Sequence, residues 1–325
     1  MARVLVLGGT GHIGSAIARQ FALAGHEVLA TCRHPGPRVN LEGTGIAISS
    51  GDDLIAGVIE YWMRQIAPDI VVDAATPYPV WLADSKEMDP NGPAVARVRR
   101  IIAASTAMRA KFILISSFTT LPSPRNGITN AILNRLQGYF KLKKNVEREV
   151  LLALAKGDLE GIVVNPATCL GPFDLKPQDQ AFIPSLLAGK VHALTKHTIN
   201  IVDVRDLAQC AFELAKSSAP LPPVPVFGHS LRVDALARRC CEMAGVKAPR
   251  FSTDALMGTA ALYSLEATLA FTGRKTPWPS LPTMLVAASY AAEPSPEQLA
   301  HKGKPRPLDD TLADSIAWYQ RLGRC

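Results

Sequence analysis

Short apolar runs alternate with longer stretches in which apolar residues recur every three or four positions. The runs predict strands at residues 4–7, 27–31, 45–48, 70–72, 112–115 and 162–164. The stretches between them predict helices at residues 13–24, from 52 or 53 to 66, 93–108 and 133–155. Strands that alternate with helices pair in parallel through right-handed crossovers. The pattern therefore predicts an α/β fold with a Rossmann-type doubly wound parallel sheet.

The pattern loosens after Pro166, where prolines and glycines interrupt residues 171–189, and the prolines at 220–225 predict a linker or rigid turn. The remaining predicted elements are a strand at 199–202 and helices at 206–216, 233–244, 255–271 and 308–321. We therefore expect two domains. One is a Rossmann-type domain of residues 1–167 plus 199–217, and the other is a smaller, mostly helical substrate lobe of residues 168–198 plus 218–325.

Three glycines, Gly8, Gly11 and Gly14, join the first strand to the first helix. A tight turn, a close backbone approach and close helix packing each require glycine, and a helix N-terminus attracts phosphate. In this position the spacing predicts a turn that binds the diphosphate of a dinucleotide. The alternative is a plain glycine-rich turn. The candidate cofactor-binding residues of the turn are Gly8, Thr10, Gly11, His12, Ile13 and Gly14.

The end of the second strand indicates which dinucleotide is preferred. No acidic residue that could hold a ribose 2′-hydroxyl occurs between Glu27 and Asn40, whereas Arg33 could pair with a 2′-phosphate. This favours NADP(H) as the cofactor and leaves NAD(H) as the alternative. Arg33 could also be a solvated loop residue.

Tyr139 and Lys143 are four residues apart on a predicted helix and therefore share one face. A neighbouring ammonium lowers the pKa of a phenol from its ordinary value near 10, which suits the phenol to proton transfer. Ser116 and Ser117 end the preceding strand, and a serine there could polarise a carbonyl group. The alternatives are a surface tyrosine and a solvated lysine.

Several segments together resemble the extended short-chain dehydrogenase/reductase superfamily, also called the NAD-dependent epimerase/dehydratase family. The matching segments are residues 8–14, 68–76, 112–117, 139–143, 165–172 and 201–207. The C-terminal segment, with Gly273 and Arg274, residues 305–307 and residues 317–319, resembles the branch of dihydroflavonol-4-reductase-like and 3β-hydroxysteroid-dehydrogenase-like enzymes.

The resemblance implies a role for each matching residue. Tyr139 would be the general acid, and Lys143 would tune its pKa and hold the nicotinamide ribose. Ser117 would polarise the carbonyl, with Thr119 as the alternative. The remaining implied cofactor-binding residues are Asp52 beside the adenine, Ala74 and Ala75 along the cofactor, and Pro166 beside the nicotinamide. The chain departs from the family at Ala94, where a relay asparagine is usual, and at Asn165, where an arginine is common.

Composition narrows the function class. The net charge of +7 is spread along the chain without a run of five like charges, so we expect no nucleic acid partner. No apolar stretch is long enough for a membrane span, and no signal peptide is evident. The six cysteines lack a CxxC spacing and the seven histidines lack metal-ligand spacing, so we expect a cytoplasmic protein without a metal.

The long helix at 133–155 could contribute to a homodimer.

Together these features predict an NADPH-dependent reductase of a ketone or aldehyde, acting on a hydrophobic small molecule. Two alternatives remain. One is an NAD-dependent sugar-nucleotide epimerase or dehydratase, which would retain NAD tightly. The other is a catalytically silent NADP-sensing regulator, which the Tyr139 and Lys143 pair disfavours.

Overall fold

The structure is a computed structural model of the whole chain. The residues that it describes are 1–34, 38–75, 91–121, 138–176, 181–196, 198–217, 221–253, 261, 264–265, 267–269, 272 and 304–325. Within this set, the side chains of residues 138–140 are not described.

Twelve strands occur in the described residues. They are β1 (Arg3–Leu7), β2 (Glu27–Cys32), β3 (Ala47–Ser50), β4 (Ile70–Asp73), β5 (Lys111–Ile115), β6 (Gly161–Pro166), β7 (Thr168–Leu170), β8 (Ala193–Thr195), β9 (Thr198–Asp203), β10 (Val224–Val226), β11 (His229–Arg232) and β12 (Phe251–Thr253). Seven of them form a sheet in the order β10-β6-β5-β4-β1-β2-β3, and every pair in it is parallel. The strand order reverses between β1 and β4, which confirms the predicted doubly wound sheet.

Helices cover both faces of this sheet. The helices whose bounds are described are α1 (His12–Leu23), α2 (Val58–Ile66), α3 (Pro93–Met108), α4 (Gly138–Lys156), α5 (Phe182–Leu187), α6 (Val204–Ala215), α7 (Val233–Met243) and α8 (Leu308–Arg321). Those on the sheet are α1 and α6 on one face and α2, α3 and α4 on the other. Side chains of β1 alternate between the two faces: Val4 and Val6 join a core cluster with α1 and α6, and Leu5 and Leu7 join a cluster with α2, α3 and α4. Burial of each such side chain contributes about 1.5–3 kcal/mol.

The predicted strands and helices of the sheet agree with the structure apart from their ends. One larger difference is α2, which begins at Val58 and not at Asp52 or Asp53. The Asp52 carboxylate accepts a hydrogen bond from the Leu54 N–H, and Gly57 has a φ of +88°. The chain therefore makes a turn before the helix starts.

The segment predicted as a linker contains the edge strand β10, which pairs only with β6 in the sheet. Pro225 is tolerated there because an edge strand has one side without a sheet partner to which an N–H must donate. The division into two domains stays a prediction, with β10 placed in the seven-stranded sheet.

A second group of elements packs beside the sheet. A three-stranded sheet β11-β9-β7 and a two-stranded sheet β12-β8 accompany α5, α7 and α8 around a third core cluster. Asp203 caps the start of α6, where its carboxylate accepts a hydrogen bond from the Arg205 N–H. In the described part of the chain, no helix has both the length and the apolar character that a membrane crossing requires.

Candidate active site

Several of the predicted site residues lie at one edge of the sheet because β6, β5, β4 and β1 are neighbours and run in the same direction. Pro166 ends β6, Ser117 follows β5, and the pair at 74–75 follows β4. Gly8 follows β1 directly. Ligands of open parallel sheets bind outside these carboxyl ends, where the strand order reverses.

The three glycines of the first turn have different tasks. Gly8 has a φ of +71°, and a Cβ on it would lie 2.9 Å from the Cα of Ala75. A Cβ on Gly14 would lie 2.1 Å from the Gly8 carbonyl oxygen, so only glycine fits there. At Gly11 the nearest atom would be 3.3 Å away, and this residue precedes the first turn of α1. The contact at Gly11 is tight but less severe than at Gly14, and the helix N-terminus that follows Gly11 fits the diphosphate of a dinucleotide.

Two residues that support this turn were not predicted. A Cβ on Gly9 would lie 2.6 Å from the Cβ of Ala30 in β2, so this glycine permits close contact between the turn and the strand. The buried Asn40 donates a 2.6 Å hydrogen bond to the Thr10 carbonyl. The glycine pair at 8–9 was a signal for the first of these residues, but no sequence pattern indicated the second.

His12 and Ile13 are the first two residues of α1. Ile13 packs against the core cluster beneath α1. The Nδ1 of His12 lies 4.0 Å from Asp174 Oδ2, and no described residue pairs with its buried Nε2. Burial lowers the pKa of the His12 imidazole. Asp174 also accepts a 2.8 Å hydrogen bond from the Tyr319 hydroxyl, so α8 is connected to the glycine turn.

Arg33 and Asp52, which the sequence analysis predicted separately, are neighbours. Arg33 Nε lies 3.5 Å from Asp52 Oδ1, and its Nη2 lies 3.9 Å from Asp53 Oδ1. The Arg33 side chain is 41% exposed. Both contacts are long for ion pairs, and Arg33 is exposed and Asp52 partly exposed although Asp53 is buried, so the guanidinium can turn toward a phosphate at a modest cost.

A buried arginine that was not predicted, Arg97, connects Asp73 at the end of β4 with Asp53. Arg97 of α3 is 2% exposed and donates through Nη1 and Nη2 to both oxygens of Asp73, at 2.7 and 2.8 Å. Its Nε donates to Asp53 at 2.6 Å. Burial disfavours the charged form of Asp73, but Arg97 outweighs this effect and holds the pKa of the Asp73 carboxyl below its ordinary value. Asp73 precedes the pair at 74–75, which is predicted to line the cofactor, and its carboxylate accepts a hydrogen bond from the Ala75 N–H at 3.1 Å.

Lys143 is buried and 6% exposed, which contradicts the alternative of a solvated lysine. Its Nζ donates to the Ile115 carbonyl at the end of β5, at 3.5 Å. Burial lowers the pKa of Lys143 to about 8, although the charges of Asp73 and Glu147 raise it. Tyr139 lies four residues earlier on α4, and its side chain is outside the described residues. The proton-transfer pair therefore stays a prediction.

Ser117 caps the short turn Phe118–Thr120. Its Oγ accepts hydrogen bonds from the Thr119 N–H at 3.2 Å and the Thr119 hydroxyl at 3.0 Å. Among the described residues, none accepts the Ser117 hydroxyl hydrogen. With this hydrogen-bond direction Ser117 keeps its own hydrogen to donate, and the choice between Ser117 and Thr119 as the carbonyl-polarising residue stays a prediction.

Comparison with known proteins agrees with this geometry. A family model described as the NAD dependent epimerase/dehydratase family matches residues 4–219. The chain belongs to this family. Its members are NAD(P)-dependent enzymes, and the solved structures of similar fold include one in complex with NAD+ and one named a UDP-glucose 4-epimerase.

Individual proteins match over nearly the whole chain. A Synechocystis sp. protein named "Putative dihydroflavonol 4-reductase" is 26% identical, with 98% of this chain and 94% of that protein covered. The crystal structure of gox2253 is 24% identical, with a TM-score of 0.75 and coverage of 100% and 99%. The Bordetella bronchiseptica enzyme WbmH, solved in complex with NAD+, is 18% identical, with a TM-score of 0.71 and coverage of 99% and 100%.

Asn165 occupies the position at which an arginine is common in the epimerase/dehydratase family. Asn165 is fully buried in β6, and its amide nitrogen lies 2.9 Å from Glu147 Oε2 on α4. Ala94, at the position of the usual relay asparagine, is buried near the start of α3. Within the described ranges, no three His, Cys, Asp or Glu side chains converge to hold a metal ion.

Proposed function

We propose that this protein is an NADP(H)-dependent reductase of a ketone or aldehyde, acting on a hydrophobic small molecule. The observation that carries the proposal is the buried ammonium of Lys143, held at the end of β5 and one helical turn from Tyr139. A buried lysine is costly, and its presence beside a tyrosine in a cofactor-binding fold favours proton transfer. The reductase name of the Synechocystis sp. relative supports the same reaction class.

Each residue has a defined task in this reaction. The bound dinucleotide would supply a hydride to the carbonyl carbon. Tyr139 would deliver its phenolic proton to the carbonyl oxygen, and the charge of Lys143 would lower the pKa of that phenol. The hydroxyl of Ser117 would donate a hydrogen bond to the same oxygen as negative charge develops there. Thr119 would orient Ser117 through its own hydrogen bond, at 3.0 Å.

Cofactor preference is assigned to Arg33. The loose ion pairs of Arg33 with Asp52 and Asp53 support a guanidinium that can exchange carboxylate partners for a 2′-phosphate. We expect Arg33→Ala to weaken NADPH binding about tenfold or more and to change NADH binding little. Equal loss for both cofactors would contradict the assignment. Cofactor fluorescence titration measures both affinities.

The reaction is tested with a panel of hydrophobic ketones and aldehydes, monitored by the absorbance of NADPH. We expect turnover of at least one aldehyde or ketone by the wild type. We expect Tyr139→Phe to lower kcat by about 10²-fold or more, because the proton donor is lost. Consumption of NADPH that is the same in both proteins would contradict the proposal.

Sugar-nucleotide epimerisation is the second candidate. The structural similarity to a UDP-N-acetylglucosamine 4-epimerase from Methanobrevibacter ruminantium M1 motivates it, with a TM-score of 0.72 at 16% identity and coverage of 99% of each chain. Asn165 at the position of the family's usual arginine counts against it. Purified protein that retains NAD and interconverts UDP-sugars would establish this second function.

A further inference from the structure

Glu147 lies four residues after Lys143 on α4, so that Tyr139, Lys143 and Glu147 follow one another at single-turn spacing. Glu147 is 7% exposed, which is unusual for a glutamate without a structural or functional partner. The role of this carboxylate in catalysis rests on the proposed reductase function.

One carboxylate oxygen lies close to three donors, two from the segment that follows β5 and one from β6. Glu147 Oε2 lies 2.5 Å from the Ser116 hydroxyl, 2.6 Å from the Thr120 hydroxyl and 2.9 Å from the Asn165 amide nitrogen. Hydrogen bonds to an ionised acceptor are short and strong, and buried ones resist competition from water. Glu147 therefore ties α4 to the segment 116–120, which follows β5, and to β6.

The three donors bracket Ser117. Ser116 precedes it, and Thr120 closes the short turn that Ser117 caps. The amide nitrogen of Asn165 also donates to the Ser117 carbonyl at 3.1 Å. The amide must present its nitrogen, and not its oxygen, to the Glu147 carboxylate, so its orientation is fixed. The backbone of Ser117 is thus held by the network that Glu147 centres.

The same carboxylate contributes to the field at Lys143. The described charged groups that act on the Lys143 ammonium are Asp73 at the end of β4, Glu147 on α4 and Arg97 on α3. The two carboxylates raise the pKa of Lys143 against the effect of burial, and Arg97 lowers it. Loss of the Glu147 charge would therefore lower the pKa of Lys143 further.

We propose that Glu147 is a positioning residue that fixes Ser117 relative to the Tyr139 and Lys143 pair. It acts through its hydrogen bonds to Ser116, Thr120 and Asn165 and through its charge. It makes no contact with the reacting atoms in this scheme. Because Glu147 lies one helical turn after Lys143 on α4, its hydrogen bonds connect the helix of the proton-transfer pair to the loop that contains Ser117.

The test compares Glu147→Gln with Glu149→Gln. Glu149 is on the same helix but pairs with Arg99 at 2.9 Å, and the Arg99 side chain is 63% exposed. The measurements are kcat and KM with 4-nitrobenzaldehyde, the Kd of NADPH, the pH profile of kcat, and amide hydrogen exchange of residues 112–121. A purely structural role would change thermal stability without moving the pH profile.

We expect Glu147→Gln to lower kcat by about tenfold to a hundredfold, because Ser117 is displaced, with NADPH affinity changed by less than about twofold. The alkaline limb of kcat should move to lower pH by about half a unit to one unit, because Lys143 loses its charge sooner. Hydrogen exchange at residues 112–121 should become faster. Glu149→Gln should resemble the wild type in every measurement.

A Glu147→Gln protein with wild-type kcat, pH profile and hydrogen exchange would overturn the proposal, as would equal losses in both variants. Should Glu147→Gln fail to fold, Ser116→Ala removes one donor and should produce smaller changes in the same directions. Unchanged kcat and exchange in Ser116→Ala would then count against the proposal. A wild type that reduces no carbonyl compound refutes the reductase function separately, and hydrogen exchange in the two glutamine variants still decides whether Glu147 positions the loop.

Discussion

Replacement of Asp73 by asparagine tests whether the buried charges at the sheet edge stabilise the fold. Asp73 is fully buried and accepts two hydrogen bonds from Arg97, which also donates to Asp53. Asp73→Asn preserves the shape of the side chain but removes its charge. Arg97 is then left with Asp53 as its only close described carboxylate, because the two hydrogen bonds to Asp73 lose their charged acceptor.

The expected magnitude follows from burial. Removal of one partner of a buried ion pair typically costs about 3–5 kcal/mol, because the other charge stays out of water. We expect a loss near the lower end, about 3 kcal/mol, because Asp53 still pairs with Arg97. The control is Asp69→Asn: Asp69 pairs with Arg3 at the surface, and their side chains are 50% and 46% exposed. Removal of such a surface pair costs about 0–1 kcal/mol.

Urea denaturation followed by tryptophan fluorescence measures the free energy of unfolding, with Trp62 as a fully buried reporter. The difference between wild type and Asp73→Asn should also depend on pH. The folded-state pKa of Asp73 is depressed, so its contribution is complete above the unfolded pKa near 3.9 and is lost as the pH falls below that value. Equal losses for Asp73→Asn and Asp69→Asn at pH 7, or a difference that does not shrink in acid, would refute this reasoning.

Three further predictions concern the turn, α8 and the lysine. Gly14→Ala should prevent NADPH binding in a fluorescence titration, because the new Cβ would lie 2.1 Å from the Gly8 carbonyl oxygen; retained affinity would contradict this. Tyr319→Phe should lower the free energy of unfolding by about 1–3 kcal/mol in urea, because Asp174 loses a buried donor, and no loss would contradict it. Carbonyl reduction should decline as the pH rises through about 8, because Lys143 loses its proton, and a flat alkaline profile would contradict this.

The elements of the sheet were predictable because strand and helix periodicity is local. The apolar runs of β1 and β4 and the periodicity of α3 identified those elements within a residue or two. β10 was not predictable, because a short strand with a central proline has the composition of a linker. Only its position at the sheet edge, beside β6, makes that proline compatible with a strand.

The site residues that belong to a local sequence motif were predictable, whereas the charged residues whose partners come from distant segments were not. Gly8 and Gly14 were identified by their spacing, and Lys143 by its distance from Tyr139. Arg97 and Glu147 resembled ordinary helical charges in the sequence. Their partners come from other strands and turns, so only the fold brings them together and buries them. The helical period could have placed Glu147 on the face of Lys143, but nothing local indicated its three donors.

Transfer of deuterium from the cofactor to the product tests the central claim most directly. The protein is incubated with NADPH deuterated at C4, on each face in turn, and with an aldehyde or ketone that it turns over. The account predicts one deuterium on the carbinol carbon from one face of the cofactor, at a rate that falls about 10²-fold or more in Tyr139→Phe. An alcohol product without deuterium from either face, or equal transfer rates in wild type and Tyr139→Phe, would contradict the account.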